Sequence, residues 1–415
     1  MRTIYFLCIC LIFIQFSCTT NPTNEFNSTG IDIDGFWIGS LHIYPNKTIP
    51  FNFKVSGDSV HFYNAEEKIT TTLSHNSSGF FTVKMPVFNS QFSFQIVNQT
   101  LKGSWKNFAK SDDYEIKFSA VKAKDSNNRF IASNSPNKSF LNGNWEVSFA
   151  PDSEDEFKAI GIFNQHPEML SGTFLTETGD YRYLQGISTK DSLFLSCFDG
   201  SHAFLFEAKI KDSVLEGIFY SGNHYSENWT AVKNNSFSLS DPYSITTLDD
   251  TNPISFSFPD TDSIWFSYPN EKFSDKVVII QIIGSWCPNC LDETVFFTSL
   301  YNKYKNRGLE VVALTYEKSD SFKKKVDRIM SLKNHLSADY PFLIAGNSSK
   351  KEVEETLPFL VNVASFPTTI YIDKAGEIRR IYSGFYGPGT GKYHEIFSKE
   401  TNLFVESLLD EKIIH

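Results

Sequence analysis

Two cysteines three residues apart, in Trp286-Cys287-Pro288-Asn289-Cys290, are the part of this sequence best equipped for chemistry. Thiols at this spacing can close and reopen a disulfide with little backbone movement. The nearly continuous β-branched run Lys276-Val277-Val278-Ile279-Ile280-Gln281-Ile282-Ile283-Gly284 precedes them, as expected for a strand buried on both faces. A helical segment from about Pro288 to Asn306 follows, and its amino terminus favours a thiolate on the first cysteine. The pattern therefore predicts an exposed, nucleophilic Cys287 with Cys290 tucked behind it. A structural disulfide and half of a zinc site compete with this reading. Zinc needs a second pair of sulfur or imidazole ligands, and the sequence has no second C-x-x-C and no histidine nearby. Strand, motif and helix in that order favour a redox pair that needs neither metal nor bound cofactor.

The elements that must hold this pair read as a mixed α/β sheet. After the apolar strand, Leu291, Val295, Leu300, Tyr301 and Tyr304 are spaced to make one apolar helix face. Leu309 to Thr315 and Pro341 to Ala345 predict further strands, Ser321 to Leu336 a basic amphipathic helix and Lys350 to Leu357 a short one. Thr368 to Ile372 and Glu377 to Tyr382 predict a hairpin turning at Lys374-Ala375-Gly376. A last helix, about Tyr393 to Glu411, should turn Phe397, Phe404, Val405, Leu408 and Leu409 inward. Upstream the grammar differs: from about Gly35 to Ser240, short alternating runs between Asn, Gly, Ser and Asp clusters predict antiparallel β structure. It looks duplicated. Gly35-Phe36-Trp37 recurs as Gly143-Asn144-Trp145, and Leu101-Lys102-Gly103-Ser104-Trp105 as Leu215-Glu216-Gly217-Ile218-Phe219. Two β units, sandwich or barrel, are thus expected over residues 35–122 and 139–238, with a polar joint over 122–138, a second joint near 238–253, and the α/β domain over 253–412.

Residues from about 253 to 412 resemble the thioredoxin superfamily, most closely its TlpA/ResA-like branch of envelope thiol-disulfide oxidoreductases, with a redoxin-type domain. The resemblance rests on Gly284-Ser285-Trp286-Cys287-Pro288-Asn289-Cys290 with Glu293, and on Ser365-Phe366-Pro367-Thr368-Thr369-Ile370 leading into Tyr371-Ile372-Asp373-Lys374-Ala375-Gly376. It implies that Cys287 attacks, Cys290 resolves, and Pro367 is cis and faces the pair, with Trp286, Pro288, Asn289 and Phe366 as neighbours. In this branch an acidic residue placed like Glu293 lines the active-site cavity, where a partly buried carboxylate could take the resolving thiol's proton; the competing reading is a solvated first-turn glutamate. Cytosolic thioredoxins keep a buried Asp six residues before the first cysteine, and here that place is Gln281, which cannot titrate. The branch's frequent proline two residues after the glutamate is Val295.

At the amino terminus Met1-Arg2 and an apolar run from Ile4 to Phe16 lay out a secretory signal too short to span a bilayer. Ser17-Cys18 at its end resembles a bacterial lipoprotein signal. That implies a cleaved signal over 1–17, lipid on Cys18, a tether over 18–34, and residence in the bacterial envelope, anchored to a membrane on its extracytoplasmic side. A net charge of −10 on 415 residues leaves no basic surplus for nucleic acid. Cys197 alternates with Leu193 and Leu195 and reads as a buried inert thiol. The glycine-rich Gly384–Gly391 segment lacks the spacing of a phosphate loop, and Lys323-Lys324-Lys325 reads as a solvated helix face. The expected whole is a multidomain lipoprotein: two antiparallel β units, then a thioredoxin-like domain that exchanges disulfides with envelope proteins as their reductant, itself recharged by an upstream electron donor. Two alternatives stand beside it. A thiol peroxidase shares the fold, but the P-x-x-x-[ST]-x-x-C pattern fails, with Ile280 and Gly284 where Pro and Ser/Thr are needed. The other is a surface module that binds protein or glycan through the β region, with the redox domain in support.

Overall fold

Alternating burial along Ser59–Asn64 and Ser90–Val97 sends every second side chain into a common interior, and eight strands curl into a closed barrel in the computed structural model of the chain. The structure describes residues 33–126, 129–130 and 139–412. Cys18 and the signal sequence expected before it lie outside the described residues. The first barrel runs as an antiparallel meander from Gly35–Tyr44 to Glu115–Lys122, and these two strands pair to close it. Closure removes the free strand edges that would otherwise invite aggregation. Phe51, Phe53, Phe62, Phe92 and Phe118 fill its interior, which is where much of the phenylalanine in the sequence goes.

The second barrel closes in the same way. Gly143–Phe149 pairs with both Phe157–Gln165 and Tyr225–Lys233, while Phe157–Gln165 also pairs with Leu170–Thr176, completing an eight-stranded ring. The short strand Gly179–Asp180 hangs from Leu170–Thr176 outside the ring. Trp145, Phe149, Phe174, Phe206, Phe219 and Trp229 form the core, with Cys197 fully buried among them beside Leu193 and Leu195. The sequence repeat is a structural one: Gly103 and Gly217 occupy matching strands, and a Cβ at either would strike a neighbouring strand's carbonyl, of Ser93 at 2.0 Å or of Glu207 at 2.1 Å. Phe198 of the second barrel stacks on Phe51 of the first, with ring centroids 4.8 Å apart.

The expected joint over 122–138 does more than connect. Its Arg129 is buried between the barrels, donating through Nε to Asn52 Oδ1 at 3.0 Å and through Nη1 to the Ser196 carbonyl at 2.8 Å, with Nη2 on the Tyr63 carbonyl. Burial lowers its pKa to about 10, still a cation at neutral pH. The second joint is also tied down: Thr247–Leu248 pairs with Leu360–Val361, and Ser383 N donates to the Pro242 carbonyl at 3.1 Å. Asp34–His415 accordingly packs as one compact unit.

The last part is a five-stranded mixed sheet in the order Phe342–Asn347, Leu309–Glu317, Val277–Ile283, Thr368–Ile372, Ile378–Ser383. The first three strands are parallel and the last two antiparallel. Four helices accompany it: α1 (Pro288–Tyr304), α2 (Phe322–Leu336), α3 (Lys350–Thr356) and α4 (Lys392–Asp410). Helix α1 corrects the expected apolar face. Val295 is exposed, and the buried side is Cys290, Glu293, Thr294, Phe297, Leu300 and Tyr304, because two polar residues belong to the inner face and mask its period. On α4, Phe397, Val405, Leu408 and Leu409 are buried as expected; Phe404 is only half-buried, covered by Arg380 with its guanidinium carbon 3.6 Å from the ring centre. Among the described residues no helix is long and apolar enough to cross a membrane.

Candidate functional site

The buried strand Val277–Ile283 delivers the chain to Cys287, which is the N-cap of α1. Its Sγ accepts a hydrogen bond from Cys290 N at 3.2 Å, satisfying one of the free N–H groups of the first turn, and Pro288 fills the first helical position, where no N–H is needed. Cys287 and Cys290 are free thiols here, and Cys290 is completely buried. Across from them the Phe366–Pro367 peptide is cis, and the Phe366 carbonyl accepts from Cys287 Sγ at 3.4 Å. Trp286 is fixed by donation from Nε1 to the Tyr316 carbonyl at 2.9 Å, with Lys318 Nζ lying 4.2 Å from its ring centre. Before it, Ser285 donates through both N and Oγ, each at 2.7 Å, to the buried Glu317 carboxylate. Burial raises the pKa of Glu317. Sequence reading missed this anchor; a carboxylate at the end of the strand beside the motif-bearing strand was its only signal.

Burial pushes the Cys290 thiol well up, with its hydrogen bond to Cys287 adding to it. Glu293, one turn further along α1, is 1% exposed and not the solvated alternative. Gln281 Nε2 donates to Glu293 Oε2 at 2.8 Å, Thr369 Oγ1 donates to Oε1, and Tyr340 Oη donates to Gln281 Oε1 at 2.8 Å. Burial dominates these bonds and moves the Glu293 carboxyl up to about 8. Gln281, which cannot titrate, instead holds the carboxylate that can.

Residues 249–391 match the Redoxin family model. The C-terminal part of this chain thus carries a redoxin-like domain with a thioredoxin-like mixed sheet. Thiol-disulfide oxidoreductase ResA of Bacillus thuringiensis subsp. konkukian is 29% identical over 108 residues, 26% of this chain and 55% of that protein. ResA of Geobacillus kaustophilus is 28% identical over 113 residues, 27% of this chain and 57% of that protein. The chain thus spans about half the length of the curated relatives it matches. A putative thiol:disulfide interchange protein DsbE from Chlorobium tepidum superposes on 38% of this chain and 97% of its own, with 17% identity and a TM-score of 0.28.

Against this redoxin domain the second barrel sets the segment Gly179–Arg182, touching both residues between the cysteines. Asn289, with its amide oriented to satisfy both partners, donates to the Asp180 carbonyl at 3.2 Å and accepts from Asp180 N at 2.7 Å. A Cβ at Gly179 would lie 2.3 Å from the nearer polar atom of the Asn289 side-chain amide, and φ of +146° there also favours glycine. Arg182 Nη1 donates to the Pro288 carbonyl at 2.9 Å and to Asp292 Oδ2 at 2.5 Å. Its Nη2 meets Glu67 of the first barrel at 2.5 Å, and Nε faces Asp199 of the second at 3.6 Å. Burial opposes the charge on Arg182, but Asp292, Glu67 and Asp199 outweigh it and keep it protonated. Burial also raises Asp292 to about 7, against the pull of Arg182.

One expectation is overturned. Cys287 is only 7% exposed, and it lines a cleft of about 460 Å³ whose other wall, including Phe157, Tyr181 and Phe204, belongs to the second barrel. Among the described residues no cluster of three or more His, Cys, Asp or Glu is arranged to hold a metal ion.

Proposed function

We propose that this protein is a membrane-anchored thiol-disulfide oxidoreductase that reduces disulfides of envelope proteins through Cys287 and Cys290. The observation that carries this is the cap of α1: Cys287 Sγ receives the Cys290 N–H at the positive end of the helix, beside cis Pro367, with Cys290 buried behind it. That arrangement stabilises a developing thiolate on the outer sulfur. The Cys287 thiolate attacks one sulfur of a client disulfide. The client S–S bond breaks, a bond from Cys287 to that sulfur forms, and the departing client thiolate takes a proton from solvent. Cys290 then attacks Cys287 Sγ, releasing the second client thiol and leaving a Cys287–Cys290 disulfide. Two electrons pass to the client, and an upstream dithiol donor must return them.

Cys290 must lose its proton for the second step, and its burial resists that. Glu293 is the acceptor we assign: with its pKa raised to about 8, its ionised fraction is a stronger base than an ordinary carboxylate, and its two hydrogen-bond donors fix it within the helix face that carries Cys290. Anchoring is read from Ser17-Cys18; labelled fatty acid should enter the protein and Cys18→Ala should abolish the labelling. The test of the activity is reduction of a protein disulfide by the pre-reduced full chain, which Cys287→Ser should eliminate. Rapid consumption of hydrogen peroxide with no disulfide reduction would instead identify a thiol peroxidase.

A further inference from the structure

The turn Asp199-Gly200-Ser201-His202, which joins the strands Ser192–Phe198 and Ala203–Lys211 of the second barrel, is clamped by all three parts of the molecule. From the first barrel, Ser90 donates through Oγ to the Gly200 carbonyl, and Asn107 donates through Nδ2 to the Ser201 carbonyl at 2.9 Å. On the redoxin side, Ser201 Oγ donates at 3.1 Å to the carbonyl of Trp286, the peptide group that leads into Cys287. The turn thus sets His202 in the lining of the same cleft that Cys287 lines.

Asp199 organises this turn from inside. It is 1% exposed, and its Oδ1 accepts from Ser201 N at 2.8 Å and from His202 N at 2.6 Å. Its Oδ2 faces His202 Nδ1 at 3.4 Å and Arg182 Nε at 3.6 Å. Burial opposes the charge on Asp199, but His202 and Arg182 outweigh it and hold the carboxyl below its usual range. The imidazole is stacked on Phe204 with ring centroids 4.5 Å apart. Nδ1 is buried while 31% of the side chain is exposed, so the open edge of the ring is the one that carries Nε2. An imidazole fixed by a carboxylate at one nitrogen and open at the other is arranged to move a proton.

We infer that His202, oriented by Asp199, delivers the proton that the departing client sulfur needs. The inference rests on the exchange chemistry proposed above. As the client S–S bond breaks and Cys287 Sγ bonds to one client sulfur, negative charge gathers on the other. The protonated ring gives that sulfur its Nε2 proton, the client thiol departs, and the ring takes a new proton from solvent. Nδ1–H stays on Asp199 throughout. His202 is then a catalytic residue contributed by the barrel, and Asp199 is its positioning residue.

The test separates the departing group from everything else. The pre-reduced full chain carrying Cys290→Ser, in which attack alone is read, is mixed with a symmetrical peptide disulfide or with the same peptide as a mixed disulfide with para-nitrothiophenol. Quenched mass spectrometry follows the adduct on Cys287. Adding His202→Gln should slow attack on the peptide disulfide about tenfold, the worth of one hydrogen bond to a charged group, and leave the aryl reaction unchanged, because an acidic arylthiol departs without being protonated. Asp199→Asn keeps an acceptor for both backbone N–H groups and should show a smaller loss confined to the same oxidant. His202→Phe retains the stack on Phe204 and makes the comparison if His202→Gln does not fold. Equal slowing with both oxidants would assign His202 to the fold, and no slowing with either would leave it without a part in exchange; each overturns the inference. Failure of the chain with His202 intact to react with either oxidant would overturn the oxidoreductase reading itself.

Discussion

Glu293 and Cys290 lie one helical turn apart on the inner face of α1, and burial raises the pKa of each. This has a consequence for stability as well as for proton transfer. In the unfolded chain Glu293 titrates near its ordinary value of 4.5, and in the fold near 8. The native state therefore binds the extra proton between those values, so this group's contribution is complete below about pH 4.5 and is lost as pH rises to about 8. Glu293→Gln removes that loss. The variant should gain on the native protein as pH is raised from 5 to 8 in denaturant titrations, while its resolution of a mixed disulfide slows at least tenfold and initial attack by Cys287 does not. A stability difference independent of pH, with unchanged resolution, would leave Glu293 as a packing residue only.

At the scale of elements, the short strand Gly179–Asp180 matters more than its length suggests, because it docks on Asn289 at the start of α1. Gly179→Ala would force a methyl group onto that amide and strain a positive φ. The segment should lift from the motif, and iodoacetamide should then alkylate Cys287 several-fold faster than in the native chain. An unchanged rate would show that the barrel does not shield the sulfur. This is also where the sequence was least legible. The strand, the capped helix and the β repeat all announce themselves through local pattern, since a β-branched run, Cys-Pro-x-Cys and a recurring glycine each act on neighbours along the chain; the cis Pro367 was implied only by the family resemblance. The barrel wall of the cleft at Cys287 comes from residues about a hundred positions away, and Asp180 and Arg182 look like ordinary polar residues of a turn. The same holds for Arg129, hidden in a stretch whose composition reads as linker, and for the second cis peptide at Tyr268–Pro269, which no neighbouring motif marks. Phe297 was passed over for Val295 because Glu293 and Thr294 on the buried face break the apolar period.

For the whole molecule, Arg182 is the point where both barrels and the redoxin domain meet, through Glu67, Asp199 and Asp292. Arg182→Ala would leave these carboxylates buried without their cation, which should cost about 3–5 kcal/mol and lower the unfolding midpoint of the full chain. Arg182→Lys should restore part of the loss, since one ammonium cannot reproduce a guanidinium that bonds Pro288, Asp292 and Glu67 at once. A change below about 1 kcal/mol would mean the three parts cohere without this contact. The order of the two sulfurs at the start of α1 is tested most directly in cells. Cys290→Ser should accumulate reducible mixed disulfides between Cys287 and envelope proteins, because nothing remains to resolve them, while Cys287→Ser should accumulate none. Trapping through Cys290 in the Cys287→Ser protein, or no trapping in either, would contradict the assignment of Cys287 as the attacking sulfur.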